Sequence, residues 1–216
     1  MALPITSATW NTPKTFGSLE MLTSTEYNNL ANDVGFLYAR PWIFGWMRSG
    51  QAQAVTNGST GVLFDNTTDF AYRQNTAGPT INWAAGGAFT VPTQCPGMYE
   101  VEIKVMSDSG GQHYQIFLEL INGTTATSAY TGAWETQRAA ATTGNGSAIL
   151  KVSVPMGVGA VPGEPTWMRV KMRAYGGTVS AIGTPTGIFV NDPASTPPYY
   201  NTFISIRYTG ASNGGY

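Results

Sequence analysis

Hydrophobic and polar residues alternate most regularly between residues 97 and 122. The apolar positions of this stretch are Tyr99, Val101, Ile103, Val105, Tyr114, Ile116, Leu118 and Leu120. Because successive side chains of a strand point to opposite faces, the alternation predicts two strands, each with one face buried in a core. The polar residues 107–111 between them predict a tight reversal. Two such strands indicate a β-sandwich.

Short apolar segments, broken by Gly, Asn and Pro about every ten residues, continue from Pro41 to the C-terminus, as is typical of a sandwich or barrel. The predicted strands are residues 42–48, 61–64, 88–91, 98–106, 113–121, 147–154, 167–175, 188–190 and 200–208. Residues 122–145, rich in Thr and Ala, are predicted to form a crossing loop with at most one weak strand.

Three cations alternate with apolar residues on one of these strands. Arg169, Lys171 and Arg173 share the predicted outer face of residues 167–175. Such a row favours an exposed strand, or one that faces acidic residues such as Glu100 and Glu102.

One helix is predicted ahead of the strands. Thr23 and Glu26 have the spacing of a capping box. Tyr27, Leu30, Val34 and Leu37 then follow at intervals of three, four and three residues, which makes one apolar stripe before the helix ends at Arg40 and Pro41. The stripe is either a short helical seam between subunits or a face packed on the chain's own sandwich, and its length does not decide between them.

Residues 1–20 carry aromatic side chains without periodicity, among them Trp10 and Phe16. We expect an extended arm that either wraps its own domain or docks on a partner. The predicted organisation is therefore an N-terminal arm and helix over residues 1–45 and a mainly β jelly-roll sandwich over residues 46–216, with no linker between them.

The formal net charge is −1, and charged residues make up 11% of the chain, against about 25% in an ordinary soluble domain. No basic field for nucleic acid or anionic lipid is present. The single cysteine, Cys95, is expected to be a buried, inert thiol rather than an intermolecular bridge. Neither a signal peptide nor an apolar stretch near the ~20 residues of a membrane helix is predicted.

Residues for acid–base catalysis are scarce. His113 is the one histidine, and a surface position at a strand end is its simplest interpretation. Glu100 and Glu102 could act as paired acids, but alternating charge on an exposed strand is ordinary solvation. The oxygen-rich run from Asp65 to Asp69 is a candidate calcium loop that lacks the spacing of a known one. We therefore expect no enzyme, no cofactor and no metal site.

Aromatic residues predicted to lie in loops form the remaining candidate site. Trp83, Tyr130 and Trp134 could stack on sugar rings of a host glycan. The alternative is that such residues fill the core or a subunit interface.

The N-terminal segment carries a resemblance. Its elements are Trp10, Leu22-Thr23, Leu30-Ala31-Asn32, Leu37 and Pro41. This order resembles the start of small virion proteins from phages of actinobacteria, of the minor-tail, head-fibre or capsid-decoration type. The resemblance implies that the segment anchors the protein to a virion. The implied anchoring residues are Trp10, Phe16, Leu22, Tyr27, Leu30, Val34 and Leu37.

The remainder is similar to the trimeric jelly rolls of tumour necrosis factor and the complement globular head. The matching elements are Phe89-Thr90-Val91-Pro92, Pro96-Gly97-Met98-Tyr99, an Asn122-Gly123 turn and a final Phe203-Ile204-Ser205 strand. One departure is Gly163-Glu164-Pro165, where that family has a Gly-Asp turn.

Together the resemblances imply a homotrimeric spike or decoration on the virion surface, made in the host cytoplasm. Its expected partners are copies of itself and phage capsid or tail proteins. The alternative is a host-glycan or receptor-binding module of a tail fibre. Neither nucleic acid nor a membrane is an expected partner.

Overall fold

The computed structural model describes residues 23–48, 50–65, 68–93, 95–107, 112–121, 130–135, 139–141, 146–157, 165–183 and 202–210. Within them lie one helix and fourteen strands. These elements are α1 (Ser24–Tyr38), β1 (Trp42–Met47), β2 (Ala52–Val55), β3 (Thr60–Val62), β4 (Phe70–Gln74), β5 (Asn82–Ala84), β6 (Ala88–Thr90), β7 (Gly97–Ser107), β8 (Gln112–Ile121), β9 (Tyr130–Glu135), β10 (Ala139–Ala141), β11 (Gly146–Met156), β12 (Trp167–Tyr175), β13 (Val179–Ile182) and β14 (Phe203–Gly210).

The strands form two antiparallel sheets of seven, here called the first and the second sheet. In the first sheet the order is β2-β13-β7-β14-β1-β4, and β11 also pairs with β7. In the second it is β10-β8-β12-β6-β5, with β9 on β8 and β3 on β12. The chain passes between the sheets from β7 to β8, from β10 to β11 and from β11 to β12, while β1 pairs with β14. The fold is a mainly β, jelly-roll sandwich, as predicted.

The strands predicted within residues 97–122 are confirmed as β7 and β8, but the reversal expected between them does not pair them as a hairpin. Their burial alternates over their lengths as the sequence pattern requires. They do not pair with each other, because β7 belongs to the first sheet and β8 to the second. Each has an apolar inner face, so the two meet across the core. There the Tyr114 hydroxyl donates to the Val105 carbonyl at 3.0 Å.

The core lies between the inner faces of the two sheets. Tyr99 and Tyr114 are its largest fully buried side chains, and burial raises the pKa of both phenols. The Tyr99 hydroxyl donates to the Cys95 carbonyl at 2.7 Å, so its polar end is satisfied inside the core. The Cys95 thiol is buried, as expected, and desolvation raises its pKa to about 11.

Several short strands were not predicted. Among them, β2, β4, β5 and β13 have three to five residues each. Residues 130–135 and 139–141 form β9 and β10 within the predicted crossing loop. The predicted strand at 188–190 lies outside the described residues, and the one at 200–208 is observed from Phe203 to Gly210.

The predicted capping box opens α1. The Thr23 amide donates to Glu26 Oε2 at 2.7 Å, and the Glu26 amide donates to Thr23 Oγ1 at 3.2 Å. At the other end, the Asn75 side-chain amide donates to the Ala39 carbonyl at 2.5 Å and to the Arg40 carbonyl at 3.1 Å. The chain leaving the helix is therefore fastened to the sandwich beside β4.

Candidate interaction surfaces

The apolar stripe of α1 faces outward. Tyr27 is 64% exposed, Leu30 55% and Val34 44%. These three exposed residues are here called the helix stripe. Exposed aliphatic and aromatic side chains in one row on a capped helix are typical of a contact surface. Of the other predicted anchoring residues, Trp10, Phe16 and Leu22 lie outside the described residues, and the side chain of Leu37 is not described.

A second surface is the outer face of β1 and β14. Trp42, Phe44 and Trp46 alternate on β1 with the buried Ile43, Gly45 and Met47. Phe203 of β14 lies beside them, with its ring centroid 5.4 Å from that of Phe44. The sequence pattern predicts β1 but does not indicate this aromatic face, since Phe203 comes from a distant part of the chain.

The next strands of the same face carry charges. Glu100 of β7 lies 3.4 Å from Lys151 on β11 and 3.8 Å from Arg207 on β14. Both cationic side chains are more than half exposed, so these pairs add little stability. Glu102 lies on the same outer face, in register with Lys151 and Ser205.

A tighter cluster lies on the outer face of the second sheet. Glu119 of β8 accepts from Arg169 on one carboxylate oxygen, with Nε at 2.8 Å and Nη2 at 2.5 Å. Its other oxygen accepts from Lys171 Nζ at 2.7 Å. The exposed fractions of these side chains are 14% for Glu119, 19% for Arg169 and 25% for Lys171. The cationic row does face an acidic residue, but that residue is Glu119. The prediction of Glu100 and Glu102 as its partners is wrong, because both belong to the other sheet.

The electrostatics of this cluster follow from its burial. Desolvation alone would raise the pKa of Glu119, but the hydrogen bonds and positive charges of Lys171 and Arg169 outweigh it and lower the pKa of Glu119. A period-two pattern places Arg169 on a face, but it does not reveal which strand lies alongside. The register of Arg169 opposite Glu119 is a tertiary feature that the sequence pattern could not supply.

Trp83, a predicted glycan contact, packs against the core of its own chain. Its indole N–H donates to the Phe64 carbonyl at 2.7 Å. Its ring stacks on Phe89 with a centroid distance of 5.3 Å and meets the edge of Tyr72 at 5.3 Å. The residue therefore packs against the core at the β5 edge of the second sheet.

The three candidate glycan contacts do not share one place. Tyr130 and Trp134 are on β9, whereas Trp83 is on β5. The order β9-β8-β12-β6-β5 puts four strand spacings, or roughly 19 Å, between them. Trp83 is therefore not a neighbour of Tyr130 and Trp134 in the sheet.

The acid–base candidates are also apart. Glu100 and Glu102 are on the outer face of the first sheet, and the exposed His113 is at one end of β8 in the second. Within the ranges that the structure describes, no three His, Cys, Asp or Glu side chains could hold a metal ion. Residues 66 and 67 of the candidate calcium loop lie outside those ranges. Among the described residues, no helix is long and apolar enough to span a bilayer.

No protein-family model matches the chain, and no curated protein matches it. Among solved structures it is similar to the Eiger TNF of S. frugiperda, with 9% identity and a TM-score of 0.48, over 82% of this chain and 98% of that one. It is also similar to a broad bean stain virus structure, with 13% identity and a TM-score of 0.33, over 77% and 82% of the two chains. A third similar structure is that of naturally occurring empty particles of cowpea mosaic virus, with 8% identity and a TM-score of 0.27, over 79% of this chain and 82% of that one. With similarity at this level, function has to be inferred from the chain's own residues.

Proposed function

We propose that this protein is a non-enzymatic structural protein of a bacteriophage particle. It forms a homotrimer on the virion surface and is anchored to the head or tail by the N-terminal arm and helix that precede β1. The observation that carries the proposal is the helix stripe, which is exposed although the helix that bears it is capped and fastened to the sandwich. The resemblance of the same segment to small phage virion proteins supplies the biological setting.

Association of the helix stripe with neighbouring copies has a clear physical benefit. Fully burying an exposed Val or Leu side chain contributes about 1.5–3 kcal/mol. Leu30 is 55% exposed and Val34 44%, so roughly half of that contribution remains for an interface to supply. In a trimer this contribution is made once for every copy. The spacing of three and four residues lets the stripe run along a neighbouring helix. The flanking positions, Asn28 and Asn29, are polar and suited to water.

Two features of the sandwich support a role in assembly. The outer face of β1 and β14 carries four aromatic side chains, and aromatic residues are enriched at protein interfaces. In the described part of the chain, the eleven-residue β11 pairs only with β7. Neighbouring subunits would cover such an edge, which otherwise invites uncontrolled strand pairing.

The test is incorporation into particles. Phage particles assembled without the native protein are supplied with the wild-type chain, with Leu30→Asp, or with Asn28→Asp as a control that adds the same charge to the same helix. We expect antibody labelling of purified particles with the wild type and the control, and at least a tenfold loss with Leu30→Asp. Absence of the wild-type protein from the particles, or equal incorporation of Leu30→Asp, would contradict the proposal.

A further inference from the structure

The outer face of β12 concentrates positive charge in a weakly charged chain. Its outward side chains, here called the β12 strip, are Trp167, Arg169, Lys171, Arg173 and Tyr175. Three of the eleven Lys and Arg residues of the whole sequence are in this row. Alternate residues of a strand are about 6.7 Å apart, so the strip is roughly 27 Å long, with an aromatic ring at each end.

The negative charge beside the strip is smaller than its positive charge. Glu119 is shared by Arg169 and Lys171, and both of its oxygens are occupied by them. Arg169 places two of its five N–H donors on this carboxylate, and Lys171 places one of three. In the part of the chain that the structure describes, neither cation has a second hydrogen-bond acceptor.

Arg173 is the exposed cation of the strip. Its guanidinium carbon lies 5.3 Å from the centre of the Tyr175 ring, which favours a fixed position for the charge. The Tyr175 hydroxyl donates to Gln115 on β8 and holds the ring in turn. Within the described residues, Arg173 has no acidic partner. Its donors are thus available to a ligand and already oriented.

We propose that the β12 strip binds an acidic polysaccharide, with sugar carboxylates on Arg173 and Lys171 and a sugar ring against Trp167. Guanidinium groups pair with carboxylates through two parallel hydrogen bonds, and aromatic side chains pack on the apolar faces of sugars. The half-buried positions of Arg169 and Lys171 lower the local dielectric and strengthen such pairs. This site is separate from the helix stripe and does not depend on the assembly proposed above.

Nucleic acid fits the strip less well. Nucleic-acid binding is dominated by many phosphate contacts. This chain has a net charge of −1, and the described strands of this face carry three cations. A polysaccharide with carboxylates at intervals needs fewer charges and uses the aromatic ends.

The experiment is calorimetric titration of the full-length protein with a short oligogalacturonide and with the matching neutral galacto-oligosaccharide. We expect binding of the acidic oligomer only, with an affinity that falls as NaCl is raised. Arg173→Gln should weaken it about tenfold, the effect of losing one charge-assisted contact. Lys104→Gln, which removes a cation from the outer face of the other sheet, should leave the affinity unchanged.

Four results would overturn the proposal. They are no binding of the acidic oligomer, equal binding of the neutral one, no effect of Arg173→Gln, and binding of single-stranded DNA as tight as that of the oligogalacturonide. Because Arg173 is exposed and forms no ion pair within the described residues, its substitution should leave the fold intact, which near-UV circular dichroism checks. Lys171→Gln should also weaken binding of the acidic oligomer, and an unchanged affinity would contradict the contact proposed for Lys171.

Discussion

Glu119 of β8 is the residue that pairs with two cations of β12 on the outer face of the second sheet. Its carboxylate is 14% exposed and accepts three hydrogen bonds from Arg169 and Lys171. Removing the Glu119 charge leaves Arg169 and Lys171 close together without their counter-charge.

We predict that Glu119→Gln lowers the free energy of unfolding by about 1–2 kcal/mol at neutral pH, less than for a fully buried pair because water still screens the cluster. Urea denaturation measures this. The matched control is Glu100→Gln, whose cationic partners are more than half exposed, and it should change stability by no more than about 0.5 kcal/mol. Equal effects of the two substitutions would contradict the prediction.

The same cluster has a defined pH dependence. Because the folded-state pKa of Glu119 is lowered, its contribution is fully present above the unfolded-state value of about 4.3. It is lost as the pH falls through the lower pKa of the folded protein. The stability difference between wild type and Glu119→Gln should therefore shrink in acid, and a constant difference would show that the carboxylate acts only through packing.

Cys95 provides a test of the core. Its thiol is 1% exposed, and burial raises its pKa to about 11. At pH 8 the thiolate fraction should be about a hundredfold lower than that of an unperturbed thiol, apart from the barrier to access. We expect no reaction with Ellman's reagent over minutes in the native protein and full reaction in guanidinium chloride. Rapid labelling of the native protein would place Cys95 outside the core.

At the scale of elements, the turn between β5 and β6 is shaped by two glycines with different surroundings. Gly86 and Gly87 have φ angles of +78° and +72°, which favour glycine. A Cβ on Gly86 would meet nothing within 4 Å, whereas one on Gly87 would lie 2.8 Å from both the Leu63 carbonyl oxygen and Val62 Cγ1.

We predict that Gly86→Ala destabilises the protein by about 1 kcal/mol, which is the backbone strain alone. Gly87→Ala should cost at least about 1 kcal/mol more, because the backbone of the Leu63 segment would have to move. Urea denaturation of both variants compares the two effects directly. Equal losses would mean that the Leu63 segment yields without strain.

How much of the fold the sequence predicts depends on the length of each element. The strands β7, β8, β11 and β12 each alternate over nine or more residues, and their pattern was recognised. Strands such as β5, with three residues, are too short to show a period. Such a strand is defined by its hydrogen bonds to a neighbouring strand, as β5 is by its pairing with β6, where Trp83 lies opposite Phe89. No local sequence pattern shows which strands will pair.

The candidate sites, like the strands, could be predicted only where their residues are close together in the sequence. The helix stripe was readable because its period and capping box are local in sequence. The Glu119 cluster and the separation of Trp83 from β9 were not, since both depend on which strands become neighbours. The aromatic face of β1 and β14 unites residues from opposite ends of the chain.

At the scale of the whole molecule, the sandwich has a buried core and several distinct outer surfaces. The inner faces of both sheets form one apolar core. Outside it are the exposed helix stripe, the aromatic face of β1 and β14 and the β12 strip. The helix stripe is the surface through which we propose that the copies associate.

The most direct test is the solution mass of the full-length protein, measured by light scattering after size exclusion, beside Leu30→Asp and the control Asn28→Asp. We predict three times the 23.0 kDa chain mass for the wild type and the control, and a monomer for Leu30→Asp. A monomeric wild type would contradict the trimer. A trimeric Leu30→Asp would show that the helix stripe is not the surface that joins the subunits.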